Sequence, residues 1–180
     1  SFKAFSFNLV SDIFLLAAFV CFYKVTNTTD CETFIYLSLW DNLLNNVQLQ
    51  AGLFFLVICA SIKSVQLGGH LWLPDSMEAP VPASSLIHSA TLVSAWIFLL
   101  CKFSPLYIAL NWTSYMILLG SLTAAYGGLV SASQTDLKKL LAYSTMSHCG
   151  FLWVLASSGN FFITIFYLFL HGLFKAASFY

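Results

Sequence analysis

The sequence predicts an all-α polytopic membrane protein with about six transmembrane helices, one of them broken. Of its 180 residues, 59% are hydrophobic and only 8% are charged, which is far more apolar than an ordinary soluble domain. The apolar segments are also long, and a bilayer core of roughly 30 Å requires about 20 apolar residues per spanning helix. We expect one transmembrane domain over residues 1–180, with spans at 5–23, 51–66, 82–102, 106–132, 137–157 and 161–180.

The first expected span is flanked by Lys3 and Lys24, whose stems can reach the two membrane interfaces. It carries one carboxylate, Asp12, inside its apolar run. The segment that follows, over residues 34–50, is aromatic at first and then rich in amides, and it is too polar to cross lipid. We therefore expect an interfacial helix between the first and second spans.

A helix break is expected at the end of the second span. Gly68 and Gly69 are typical of a helix stop, and they follow Lys63 closely. The next segment, which begins near Pro74, is too interrupted for a simple crossing and too apolar for an aqueous loop. Such backbone is tolerated in a membrane only where protein buries it or where it lines a cavity. Gly68, Gly69 and Pro74 therefore predict a broken helix.

Ionisable residues inside the apolar spans are the functional candidates. A charged side chain at mid-membrane costs at least about 2.5 kcal/mol, so such residues usually line a pathway or pair with one another. His171 and Lys175 are four residues apart and share one helix face. Lys63 adjoins the break, where polar backbone is available to ions. The alternative for both lysines is snorkelling, in which the ammonium group reaches an interface.

Five further residues have two interpretations each. His88 and His148 suit proton relay, or they form plain hydrogen bonds between helices. Asp12 is either a helix-terminal cap or the partner of a lysine from another span. Lys138 and Lys139 follow Asp136 at a helix start, which is the unfavourable dipole end for cations. We expect an acidic or pathway-facing partner for at least one of them, and interfacial anchoring is the alternative.

Several classes of function are excluded by composition and motifs. All seven cationic side chains are lysine, and they form no basic patch of the kind that binds nucleic acid. The five cysteines are scattered without a CxxC pair, so neither a zinc site nor a disulfide framework is predicted. No Walker loop, dinucleotide fingerprint or nucleophile elbow is present, and no cofactor or metal is expected in this chain. Membrane lipids are expected partners.

Several stretches are diagnostic together. They are Lys63–Gln66, His70–Pro82, Ser85–Val93, Ser133–Ser147 and His171–Ala176. In type, order and spacing they resemble the antiporter-like subunit 5 family of respiratory complex I, NADH:ubiquinone oxidoreductase, which is related to Mrp-type cation/proton antiporters. The segment Asn8–Asp12 is a weaker match to the Asn-Arg-x-Gly-Asp segment of that family.

The resemblance implies an antiporter-like inverted-repeat fold and a proton pathway. Lys63 would be the lysine of a discontinuous helix, His88 the connecting histidine, and Lys175 the central-axis lysine of the second repeat. Further polar positions of the family match Asp12, Asp136, Lys138 and His171. The implied function is proton translocation, coupled to NADH oxidation and quinone reduction elsewhere in the complex. An Mrp-type antiporter without redox coupling and a purely structural membrane-arm segment are the alternatives.

The sequence departs from the family pattern at four positions. Leu9 stands where arginine is expected, Gly68 where proline is usual, Tyr167 where a second histidine is expected, and His148 where glutamine is common. The family's complete subunit is longer, so we expect the rest of subunit 5 and other membrane-arm subunits as partners. FMN, iron–sulfur clusters and ubiquinone are expected in other subunits, and the mitochondrial inner membrane is the implied location. Lysine placement leaves the membrane orientation open.

Overall fold

The computed structural model describes residues 2–28, 30–40, 45–76 and 92–179, and within these ranges every regular element is a helix. The helices are α1 (Phe2–Thr26), α2 (Cys31–Trp40), α3 (Val47–Lys63), α4 (Trp72–Asp75), α5 (Leu92–Ala109), α6 (Thr113–Ala132), α7 (Leu137–Ser157) and α8 (Phe161–Phe179). The prediction of an all-α fold is confirmed. His88 and the expected start of the third span at Pro82 lie outside the described residues.

Three of the described helices, α1, α6 and α8, are long and apolar enough to cross a membrane, and α3 and α5 are shorter apolar helices. The outer face of α8 is apolar and open: Phe162, Phe166 and Phe169 are 88%, 64% and 61% exposed. Contiguous apolar surface of this extent marks contact with lipid or with other protein.

The helices pack most extensively as two pairs, α1 with α3 and α6 with α7. Glycines determine how closely α6 and α7 approach each other. A Cβ atom added at Gly127 would lie 2.8 Å from the amide nitrogen of Ser147, and one added at Gly150 would lie 2.6 Å from that of Ala124. Gly127 therefore permits the close packing of α6 on α7, whereas Gly128 faces open space.

The boundary expected between the third and fourth spans, at residues 102–106, lies instead at residues 110–112. Pro105 is inside α5 and cannot donate an N–H to the carbonyl of Cys101 four residues earlier. The hydroxyl of Ser104 donates to that carbonyl at 2.8 Å, so the missing bond is replaced within the same turn. The helix ends later, where Asn111 adopts a φ of 58°.

The segment expected to form one interfacial helix is divided between two elements. Its first part belongs to the ten-residue helix α2. Its last four residues, 47–50, form the first turn of α3 and therefore belong to the second span. The Asn46 side chain explains this start, because its oxygen accepts from the amide of Gln48 at 2.9 Å and caps the helix.

Candidate functional site

The break in the second span begins earlier than the glycines predicted, because α3 ends at Lys63. The amides of Val65 and Gln66 donate back to carbonyls in the last turn of α3 at 3.3 and 2.8 Å, in the pattern of a Schellman cap. Val65 has a φ of 60°, a left-handed conformation that is unfavourable for a β-branched residue. The side chain of Val65 is fully buried. Packing therefore holds a strained backbone two residues after Lys63.

The chain then returns along α3 before the short helix α4 begins. Gly68 has a φ of 96°, and a Cβ atom added at Gly69 would lie 2.7 Å from the Cα atom of Ile62. The indole nitrogen of Trp72 donates to the carbonyl of Ile62 at 3.1 Å. The predicted break is present, Pro74 lies inside α4, and a hydrogen bond and close backbone contact join α3 to the segment that follows the break.

Gln66 connects this break to the second half of the described chain. Its side chain is fully buried, and its amide nitrogen lies 3.3 Å from the carbonyl of Ser64 and 3.4 Å from that of Cys149 in α7. The amide of Leu67 donates to the hydroxyl of Thr123 in α6 at 3.2 Å. Sequence reasoning did not single out Gln66 as a site residue. The signal available was an uncharged amide at the end of an apolar span.

Lys63 is buried and paired. Its Nζ atom lies 2.8 Å from a carboxylate oxygen of Asp12 in α1, and the two side chains are 10% and 57% exposed. The ring of Trp96 lies 5.4 Å below the same ammonium group, within the range of a cation–π contact. The expected pairing of Asp12 with a lysine from another span is therefore present.

Lys175 is more deeply buried and has different partners. The residue is 1% exposed. Its Nζ atom donates to the hydroxyl of Ser144 and lies 3.4 Å from the carbonyl of Leu141, both in α7. No carboxylate of the described ranges forms an ion pair with it. A buried ammonium without a countercharge is costly, whereas a lysine amine can exist without charge, so this site suits gain and loss of a proton.

Two histidines and a tyrosine continue from Lys175 along the contact between α7 and α8. His171 is 8% exposed, and its Nε2 atom has no hydrogen-bond partner among the described residues. The ring of His148 lies 5.1 Å from the ring of His171. The Nδ1 atom of His148 lies 2.6 Å from the hydroxyl oxygen of Tyr167. The structure therefore brings together His148, His171 and Lys175, which the sequence had placed on two different spans.

The family model for NADH:quinone oxidoreductase/Mrp antiporter transmembrane proteins matches residues 1–180, the whole chain. The chain belongs to this family. It is 50% identical over 188 residues to NADH-ubiquinone oxidoreductase chain 5 of Paramecium tetraurelia, a match that covers 99% of this chain and 33% of the relative. It is 38% identical over 181 residues to the chloroplastic NAD(P)H-quinone oxidoreductase subunit 5 of Zea mays, covering 98% and 24%.

Solved structures show the same antiporter-family fold. The Mrp complex from Dietzia sp. DQ12-45-1b contains a chain that matches with a TM-score of 0.91 and 30% identity, over 98% of this chain and 20% of that one. The membrane-bound sulfane sulfur reductase, an archaeal respiratory membrane complex, matches with a TM-score of 0.85 over 99% and 37% of the two chains. At 21% identity the second match shows the fold alone. The resemblance to subunit 5 and the antiporter-like fold are confirmed.

The structure shows what surrounds the residues that depart from the family pattern. Leu9, which stands where the family has arginine, is 46% exposed, and Asp12 pairs with Lys63 instead. Two of the other three changes meet each other, because Tyr167 and His148 are hydrogen-bond partners. A histidine expected on α8 is thus replaced by one on the facing helix.

The acidic and basic residues at the start of α7 form a separate, more open region of this antiporter-family chain. Asp136 and Lys139 pair at 3.3 Å, but their side chains are 63% and 51% exposed. Lys138 is exposed and forms no ion pair with the described residues. A polar cavity of about 690 Å³ adjoins them, lined also by Asp75 and Tyr143. The partner expected for one of the two lysines is therefore Asp136, at an open surface.

Proposed function

We propose that this chain translocates protons in the membrane arm of an NADH:ubiquinone oxidoreductase, through a path that includes Lys63, His88, His171 and Lys175. One observation carries the proposal. Lys175 is 1% exposed and held by a hydroxyl and a carbonyl, without a carboxylate from the described ranges. The name of the Paramecium relative, of which this chain spans 33%, supports the coupling to NADH oxidation.

Proton transfer at Lys175 follows from its contacts. When the amine holds a proton, the hydroxyl of Ser144 and the carbonyl of Leu141 accept its N–H groups. When the proton leaves, the neutral amine avoids the cost of a buried charge. His171 lies one helical turn away on the same face and has an unpartnered ring nitrogen among the described residues, so it is placed to exchange the proton.

The pair of Lys63 and Asp12 acts as the second station. Asp12 supplies a countercharge to Lys63 while the two groups are in contact, so Lys63 acts on proton movement mainly through its positive charge. Gln66 joins the break beside Lys63 to the carbonyl of Cys149, which follows His148 directly. A change of charge at one lysine would therefore act on the other through the buried region that contains this contact.

The chemistry that drives the path lies in other subunits. Electron transfer from NADH to ubiquinone through FMN and iron–sulfur clusters would take place there, and the charge changes would reach this chain electrostatically. The chain would act as one part of an enzyme and carry no redox centre. Its partners would be the remaining parts of subunit 5, other membrane-arm subunits and lipids. We place the chain in the mitochondrial inner membrane, because it is 50% identical to a ubiquinone-reducing relative and only 38% identical to the chloroplastic subunit 5 of Zea mays.

The decisive experiment is purification of the assembly that contains this chain, followed by reconstitution into proteoliposomes. We expect subunits with flavin and iron–sulfur clusters to copurify, and NADH oxidation by a quinone to acidify one compartment. We further expect Lys175→Ala to abolish proton movement while the assembly remains intact. Normal proton movement in that variant would overturn the proposed function.

The second candidate is an Mrp-type cation/proton antiporter without redox coupling, because the Dietzia Mrp complex shares the fold with a TM-score of 0.91 and 30% identity. The same preparation separates the two functions. A cofactor-free assembly whose proton movement depends on a Na⁺ or K⁺ gradient, and not on NADH, would establish the antiporter.

A further inference from the structure

A file of polar side chains runs along the contact between α7 and α8, and part of it has no role in the path described so far. On α8, the buried or half-buried polar residues Thr164, Tyr167, His171 and Lys175 recur at intervals of three or four, so they lie on one face. On α7, Ser144 and His148 face them. At 1.5 Å per residue, the file from Lys175 to Thr164 is about 16 Å long, or half of the bilayer core.

The polar file runs from Lys175 towards the N-terminal end of α8. α8 runs antiparallel to α7, and the N-terminal end of α8 adjoins the turn that contains Ser158 and Asn160, both exposed. The amide nitrogen of Asn160 lies 3.2 Å from the hydroxyl of Ser158, and the carbonyl of Asn160 accepts from the hydroxyl of Thr164 at 2.8 Å. The polar file therefore leads from a buried amine towards one surface of the membrane.

We propose that His148 and Tyr167 form a proton relay between the His171–Lys175 site and the membrane surface at the α7–α8 turn. This inference rests on the proposed function, which supplies the proton at Lys175. The Nδ1 atom of His148 lies 2.6 Å from the hydroxyl oxygen of Tyr167, and the ring centroids of His148 and His171 are 5.1 Å apart. His171 and Tyr167 lie between Lys175 and Thr164 on α8, and His148 contacts both of them from α7.

The proposed relay consists only of proton transfers, and no group is oxidised or reduced. His171 passes its proton to the imidazole of His148, directly or through one water, and becomes neutral. His148 gives up a different proton to the hydroxyl oxygen of Tyr167, which at the same time releases its own proton to a water molecule on the side of the turn. A later rotation of the hydroxyl and exchange of the histidine tautomer restore the starting state.

A hydrogen bond that merely holds two helices together makes a different prediction, so conservative variants separate the two roles. Tyr167→Phe removes the hydroxyl and leaves the ring in place. His148→Gln keeps a hydrogen-bonding partner for Tyr167 but cannot carry a proton. The exchange variant His148→Gln with Tyr167→His returns a histidine to the pair on the other helix. Tyr115→Phe is the matched control, because Tyr115 is 78% exposed on α6.

The test measures proton movement per NADH oxidised in proteoliposomes that contain the whole complex, with its assembly checked on native gels. We expect Tyr167→Phe and His148→Gln each to lower the ratio at least about threefold, the exchange variant to recover most of it, and Tyr115→Phe to leave it unchanged. Loss in both single variants without recovery in the exchange would show a packing role and overturn the relay.

Failure of the relay is distinguishable from failure of the proposed function. If Lys175→Ala abolishes proton movement while Tyr167→Phe and His148→Gln pump normally, the relay is overturned and the path through Lys175 stands. If Lys175→Ala also pumps normally, both are overturned. Should His148→Gln reduce assembly, Tyr167→Phe decides the outcome, because it removes one oxygen atom and no ring packing.

Discussion

The two buried lysines of this chain are stabilised in opposite ways. Lys63 ends a broken helix and contacts a carboxylate, Asp12, whose side chain is 57% exposed. Lys175 lies inside a continuous helix, is 1% exposed and contacts a hydroxyl and a carbonyl. A countercharge favours a permanent ammonium, whereas neutral partners allow the amine to lose its proton. Within the proposed path, Lys63 would therefore act mainly through its charge and Lys175 through its proton.

Replacement of each lysine by arginine tests this division most strongly. Arginine keeps the charge but does not release a proton, so we expect Lys175→Arg to lower proton movement at least about tenfold. Lys63→Arg keeps the ion pair with Asp12, and we expect a loss of only about two- to threefold. Proton movement per NADH in proteoliposomes is the measurement. A larger loss at Lys63 than at Lys175 would reverse the comparison.

A methyl group at the break should disturb the Lys63 site alone. Gly69→Ala places a Cβ atom 2.7 Å from the Cα atom of Ile62, and two backbones cannot move apart without displacing the end of α3. We expect the stability of the complex to fall by about 1–3 kcal/mol, which is measured as a lower apparent melting temperature of the solubilised complex. Gly128→Ala is the matched control, because nothing lies within 4 Å of its added Cβ atom. Equal melting temperatures would contradict the close contact.

Removal of the Asp12 charge should lower the stability of the complex by less than Gly69→Ala does. Asp12→Asn leaves Lys63 buried beside a neutral group, and because Asp12 is more than half exposed we expect a loss of about 1–2 kcal/mol in the stability of the complex. The double variant Asp12→Leu with Lys63→Met should recover stability without recovering proton movement. Asp75→Asn breaks the exposed pair with Lys3 at 3.1 Å and serves as the control. A similar loss in the control would remove the distinction between buried and exposed pairs.

The smallest effect is expected at the start of α7. Asp136→Asn breaks the pair with Lys139, but both side chains are more than half exposed and solvent screens their attraction. We expect a change within about 0.5 kcal/mol in thermal stability and unchanged assembly on native gels. A loss as large as that of Asp12→Asn would mean that other protein covers this surface.

The sequence was informative where chemistry depends on neighbours along the chain. Long apolar runs predict membrane helices, since their composition alone determines transfer into lipid. The spacing of His171 and Lys175 predicts one shared face, and both side chains are buried in the structure. The boundary near Pro105 was misplaced, because a proline that ends most helices is accommodated here by a hydroxyl bond from Ser104.

The contacts of the candidate residues could not be predicted from the sequence. Asp12 and Lys63 are far apart in the chain, and their contact depends on how α1 rotates against α3. Gln66 reaches Cys149 only because the break turns towards α7. Val65 adopts its positive φ because tertiary packing overrides the local preference of a β-branched residue.

Residue type and spacing, taken alone, were sufficient for the all-α membrane class and the break after α3, and they singled out the lysines and histidines to which we assign the proposed proton path. Tertiary structure decided which lysine has a countercharge and that His148 meets Tyr167 across two helices. The reason is physical. The free energy of inserting a helix into lipid is a sum over the residues of one segment, whereas the charge state of a buried amine depends on the few atoms that other segments bring within hydrogen-bond distance.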